Sequence, residues 1–209
     1  MLKKLLCSSM LALGLLSGAA VQAQTAESFD PYMVRVRGVY VGFENGQSGG
    51  LPLPGNTKVQ AVSTWIPEID LTYFFTKNIA AELVLTWPQN IDINVGGTKA
   101  GTIQALPPSL MLQYHFTDLG AFKPYVGLGL NYTIFYQTNN ILGGAASIKN
   151  NSFGVAGQVG FDYAIDKNWQ FNVDLKWIQM ATDVSVGGSK VGTVNLNPLT
   201  VGVGIGYRF

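Results

Sequence analysis

Apolar and polar residues alternate with a period of two in eight stretches of this chain, and none of comparable length shows the 3.6-residue period of a helix. The stretches are 32–43, 64–75, 79–87, 106–116, 124–136, 152–165, 169–180 and 199–209. Each reads as a β-strand long enough to cross a bilayer at a tilt. In the last, Leu199, Val201, Val203, Ile205, Tyr207 and Phe209 form one face and Gly202, Gly204 and Gly206 the other. An apolar strand face closing on an aromatic residue is the pattern of an outer-membrane β-barrel, in which the apolar face meets lipid and the polar or small face lines the lumen. The fold class expected is all-β, an eight-stranded antiparallel transmembrane barrel.

The connections alternate in length. Those at 76–78, 117–123 and 166–168 are short, whereas those near 44–63, 88–105, 137–151 and 181–193 are long. In such barrels short turns face the periplasm and long loops the exterior, so both termini are expected in the periplasm. Two long links carry similar segments, 95–103 (VGGTKAGTI) and 186–194 (VGGSKVGTV). Each predicts a hairpin with a glycine turn that carries the wall beyond the membrane. Trp65, Trp87 and Trp177 fall toward the exterior ends of their strands and Trp169 toward the periplasmic end, as aromatic girdles do.

Composition sharpens this picture. The chain of 209 residues is 47% hydrophobic but only 12% charged, about half the usual charge content. Lys3 and Lys4 precede the apolar run 5–16, and small residues lead to Val21-Gln22-Ala23. Residues 1–23 are therefore expected to be a secretory signal, leaving 24–209 as the barrel domain. Cys7, the single cysteine, falls in the segment to be removed, so neither a disulfide nor a cysteine nucleophile is expected. No cofactor or metal is expected from one His and acids interleaved with Arg and Lys. The nearly neutral charge gives no reason to expect nucleic acid.

Strand direction sorts the inward residues by depth. Toward the periplasm lie Arg35, Arg37, Glu82, His115, Asp162 and Arg208, with Glu68, Asp70, Asp174 and Lys176 near mid-height. Eight strands enclose a lumen just wide enough for side chains to fill, so these charges are expected to plug it. Toward the exterior lie Val39, Val41, Phe43, Ile66 and Pro107, followed by Met111, Ile178, Met180 and Leu196, which are expected to line an apolar channel. Inward glycines such as Gly127, Gly129, Gly160 and Gly204 are expected either to leave space or to permit curvature. Pro67, Pro88, Pro107, Pro108 and Pro198 each remove a ladder donor. Either they shape hairpins above the membrane, or they weaken the wall so that apolar solutes pass sideways into lipid.

The stretches 106–116 (LPPSLMLQYHF), 123–133 (KPYVGLGLNYT) and 153–163 (FGVAGQVGFDY) resemble the outer membrane protein W (OmpW) family, which includes the alkane-uptake protein AlkL. The resemblance runs from Tyr32 to Phe209. It implies a monomeric barrel with a narrow hydrophobic channel for small apolar molecules, released laterally into the membrane, and no catalytic residues. Its expected partners are outer-membrane lipid and lipopolysaccharide, small apolar solutes, and the barrel assembly machinery through Phe209. Two other readings stand beside it, a structural, adhesive or receptor barrel and an outer-leaflet enzyme acting on lipid A. The enzyme would need a nucleophile and base near the exterior boundary, and the single His115 lies at the opposite end.

Overall fold

The computed structural model describes residues 29–49, 57–138 and 141–209; the expected signal segment and Cys7 lie outside them. Fifteen strands form among the described residues. In chain order they are β1 (Tyr32–Gly42), β2 (Gly46–Gly49), β3 (Val59–Ala61), β4 (Thr64–Phe74), β5 (Ile79–Thr86), β6 (Gln89–Val95), β7 (Thr98–Leu106) and β8 (Ser109–His115). Then follow β9 (Phe122–Tyr136), β10 (Ala146–Ile148), β11 (Asn151–Ala164), β12 (Trp169–Ile178), β13 (Ala181–Val186), β14 (Ser189–Asn195) and β15 (Leu199–Arg208). Eight of them, β1-β4-β5-β8-β9-β11-β12-β15, close into an antiparallel barrel through the β15–β1 pair, so each of the eight pairs with a neighbour on both sides. Reciprocal bonds between Tyr32 and Phe209 tie the two ends together, N to O at 3.1 and 2.9 Å.

Parity explains the wall. Val36, Leu71, Leu83, Leu112, Leu128, Val159, Leu175 and Val203 are exposed on the outside, while their sequence neighbours face the lumen and are buried or half-buried. Lipid makes this arrangement stable, since a charge on that outer face would cost about 2–4 kcal/mol at mid-membrane.

The other seven strands continue the wall beyond the long-loop end. There β6–β7 and β13–β14 are hairpins turning at Gly96-Gly97 and Gly187-Gly188, all four glycines at positive φ, where an L side chain would be strained. Both hairpins are bulged at equivalent places, Ile93/Asn94 and Val184/Ser185. In both, an Asp pairs with a Lys and a Thr: Asp92 with Lys99 (2.8 Å) and Thr102, Asp183 with Lys190 (2.7 Å) and Thr193. The sequence likeness therefore encodes one hairpin used twice. The side-chain amides of Asn45 and Gln47 bond the backbone of Thr57, Val59 and Ala61 and join β2 to β3.

One expected strand is placed differently. Leu106 ends β7, and β8 starts at Ser109, because Pro107 and Pro108 interrupt the ladder. Both segments keep one register along β9, Leu106 opposite Ile134 and Ser109 opposite Asn131. Asn131 ties the break to β9, its Nδ2 donating to the carbonyls of Pro107 (3.2 Å) and Pro108 (3.0 Å).

Candidate functional site in the barrel lumen

The lumen divides into a charged floor at the short-turn end and two apolar chambers above it. Arg35 and Arg37 organise the floor from β1, held at adjacent inward levels by the two-residue repeat. Arg35 pairs with Asp162, Asp70 and Glu82 at 2.8, 3.1 and 3.1 Å, and bonds Thr72 Oγ1 at 2.7 Å. Arg37 pairs with Asp70 and Glu68 at 2.8 and 2.9 Å and reaches Glu82 at 3.5 Å. Neutral side chains complete the network. Gln113 and Gln158 donate to Glu82, Gln158 and the Tyr125 hydroxyl donate to Asp174, and Asn172 donates to Asp162. His115 lies between the tilted rings of Phe74 and Tyr125, its Nε2 3.0 Å from Gln113 Oε1. Buried charges persist only when paired and hydrogen-bonded in this way.

The inward glycines fit the same network. A Cβ on Gly204 would strike the Val36 carbonyl and Arg37, one on Gly160 would strike Tyr125, and one on Gly129 would strike Met111 and the Leu110 carbonyl. The alternative that these glycines leave free space is thus corrected: large neighbours occupy the room they make.

Of the ten residues expected in the plug, nine enter this network: Arg35, Arg37, Glu68, Asp70, Glu82, His115, Asp162, Asp174 and Lys176. Arg208 does not. It sits at the barrel mouth, Nε donating to the Asp30 carbonyl at 2.7 Å and its guanidinium lying over Phe74 and Phe29. It lies one inward step below Gly206 on β15, so it faces the rim rather than the carboxylates. Sequence reading missed Gln113, Tyr125, Gln158 and Asn172, although their inward parity marked them.

Directly above the floor lies a chamber of about 50 Å³. Val39, Val41, Phe43, Ile66, Pro107, Ile178 and Met180 line it, seven of the nine residues expected along the channel. Leu196 lines instead a second chamber of about 350 Å³, walled by Ile93, Ile103, Ile148, Val184 and Val194 of the two hairpins and of β10. Met111 lines neither; it is fully buried against Gly129, level with Glu82, where floor and apolar core meet. The chambers abut, because Ile91 and Met180 of the lower are cross-strand partners of Ile103 and Leu196 of the upper. The hairpin residues were missed because their inward faces become apparent only when distant strands are brought opposite one another.

The wall beside the lower chamber is incompletely paired. The β4–β5 ladder ends at Glu68–Thr86, and pairing resumes at the Val62 N to Asp92 O bond and the β3–β6 ladder. Between them no backbone pairing joins 63–67 to 87–91 among the described residues. On the other side of Trp87-Pro88, the β5–β8 ladder ends at Val84–Ser109 and β6–β7 resumes at Gln89–Ala105. Phe75 N bonds Ile79 O while Phe74 N bonds Pro31 O, so odd-numbered residues of β4 present their backbone groups to β5. Pro67 therefore withholds a donor from this seam. Thr64, Ile66, Thr86 and Gln89, which flank it, also line the lower chamber.

A closed eight-stranded barrel with a lipid-facing apolar belt and a charged, packed floor defines a small integral protein of the bacterial outer membrane. The chain belongs to the OmpW family, whose model matches residues 33–209. An uncharacterized outer-membrane protein of Sinorhizobium fredii is 41% identical over 88% of this chain and 82% of its own length. Outer membrane protein W of Escherichia coli is 32% identical over the full length of both. The crystal structure of outer membrane protein OprG from Pseudomonas aeruginosa matches with a TM-score of 0.74 at 30% identity, covering 86% of this chain and 96% of that one.

Proposed function

We propose that the protein is an outer-membrane channel that takes small hydrophobic molecules from the exterior and releases them sideways into the membrane. The long-loop end faces the exterior, the short turns and both termini face the periplasm, and the barrel works as a monomer in lipid and lipopolysaccharide. The single observation that carries this reading is the unpaired seam between 63–67 and 87–91, which borders the lower apolar chamber just above the floor. A solute entering from above meets apolar walls, then charged side chains below, and an interrupted ladder at its side. Each Å² of apolar solute surface removed from water gains about 25 cal/mol in the chamber and a similar amount in lipid, so sideways transfer is nearly level in free energy. Ions gain nothing from such walls and meet the packed floor.

The test is transfer of octane from the outer solution into the bilayer of proteoliposomes. Wild-type protein should accelerate it over protein-free vesicles, and Pro67→Thr with Pro88→Thr, which restores two ladder donors, should slow it several-fold while leaving the barrel assembled. No acceleration by the wild type would favour a structural barrel.

A further inference from the structure

The floor of the lower chamber carries polar groups that an apolar solute does not use. Lys176, one of the residues lining the chamber, is 1% exposed, and its buried Nζ makes no hydrogen bond among the described residues. Its nearest carboxylate oxygens are Glu68 Oε2 at 3.5 Å and Asp174 Oδ1 at 3.8 Å, both beyond good bonding distance. Thr86 lines the same chamber, and its buried Oγ1 likewise has no hydrogen-bond partner among the described residues. Glu68 is the direct cross-strand partner of Thr86 and its Oε2 lies 3.5 Å from Lys176 Nζ, and all three residues line the chamber. Buried donors left this way cost free energy, which a ligand that satisfies them recovers.

We propose that this floor is a headgroup subsite for a neutral, hydroxyl-headed amphiphile, such as a medium-chain primary alcohol whose tail lies in the upper chamber; the proposal rests on the channel reading above. A hydroxyl offers two lone pairs and one proton. Lys176 Nζ and Thr86 Oγ1 donate to the lone pairs, and the proton goes to Glu68 Oε2, whose other oxygen is held by Arg37 at 2.9 Å. Charge selects the neutral head. The floor holds five carboxylates, Glu68, Asp70, Glu82, Asp162 and Asp174, against the three cations Arg35, Arg37 and Lys176. A carboxylate head would add to the excess and face Glu68 directly, whereas an alkane would leave both donors unmet. The volumes agree with this division: about 50 Å³ for a head and about 350 Å³ of apolar space for a tail.

The experiment titrates the folded protein in lipid nanodiscs with 1-octanol, octane and octanoate, following the methyl NMR signals of Ile178 and Thr86. Octanol should half-saturate the Ile178 shift at about one-tenth the concentration octane needs, since a hydrogen bond to a charged group is worth about tenfold or more. Octanoate should bind more weakly than octanol. Thr86→Val and Lys176→Met should each bring the octanol-to-octane ratio several-fold closer to one, read on Ile178. Because Lys176→Met also disturbs the floor, the isosteric Thr86→Val decides if the lysine variant fails to assemble. Equal binding of octanol and octane, tighter binding of octanoate, or an unchanged ratio in Thr86→Val overturns the headgroup subsite and leaves the channel standing. If none of the probes shifts Ile178, the channel reading falls with it.

Discussion

The Arg35 guanidinium meets the Asp162 carboxylate in a two-pronged pair, Nε donating to Oδ1 at 3.1 Å and Nη2 to Oδ2 at 2.8 Å, across 127 positions of sequence. The pair links β1 to β11 through the middle of the floor. Removing the carboxylate strands a buried guanidinium, which costs about 3–5 kcal/mol. Asp162→Ala should therefore lower the urea midpoint of the refolded barrel, or raise ion leakage through the floor in planar bilayers. Wild-type stability together with wild-type leakage would show that the pair contributes nothing.

Gly204 marks where backbone and side chain come closest. A methyl group there meets the Val36 carbonyl and Arg37, whereas one on Gly157 meets nothing within 4 Å. Gly204→Ala should cost about 1–3 kcal/mol through overpacking, while Gly157→Ala stays near wild type. Parallel urea unfolding of the two folded variants checks the contrast.

Asp166, in the short turn between β11 and β12, accepts backbone bonds from Trp169 and Asn168 at 2.7 and 2.8 Å, and these hold its pKa below the ordinary aspartate value. A depressed pKa contributes stability above the unfolded value, lost as pH falls through the folded one. The turn should thus stay closed through pH ~4 and loosen only below it. NMR titration of the Asn168 and Trp169 amide shifts should give a midpoint below that of a free aspartate. A midpoint at the free value would contradict the bonding.

Phe209 closes the barrel by backbone bonds to Tyr32 and stacks on the rings of Tyr32 and Tyr207. Deleting it should reduce the amount of protein that reaches the outer membrane, measured by the heat-modifiable band in membrane fractions. Undiminished assembly would separate the closing pair from insertion.

Much of this architecture is legible from parity alone. Arg35 and Arg37 alternate with Val34 and Val36, so a strand in lipid must turn the arginines inward, and the register then sets them level with Asp70 and Glu68. Leu106 was misassigned because its parity continues smoothly through two prolines that break hydrogen bonds without shifting the register. Arg208 has the correct parity and sits too near the rim. The upper chamber escaped because Ile103 and Val194 come from hairpins whose mutual packing is non-local. That Lys176 Nζ forms ion pairs but no hydrogen bond depends on distances of a few tenths of an ångström, which no sequence pattern encodes.

The most direct test of the apolar channel is octane transfer into proteoliposomes by Ile178→Asp, a change that puts a charge on the wall of the lower chamber above the floor. The barrel should assemble with a normal heat-modifiable gel shift, and transfer should fall to the rate of protein-free vesicles, because a hydrocarbon solute covering the new carboxylate strips its hydration at a cost of several kcal/mol. Octane transfer at the wild-type rate by the assembled variant would contradict an apolar route through this lumen.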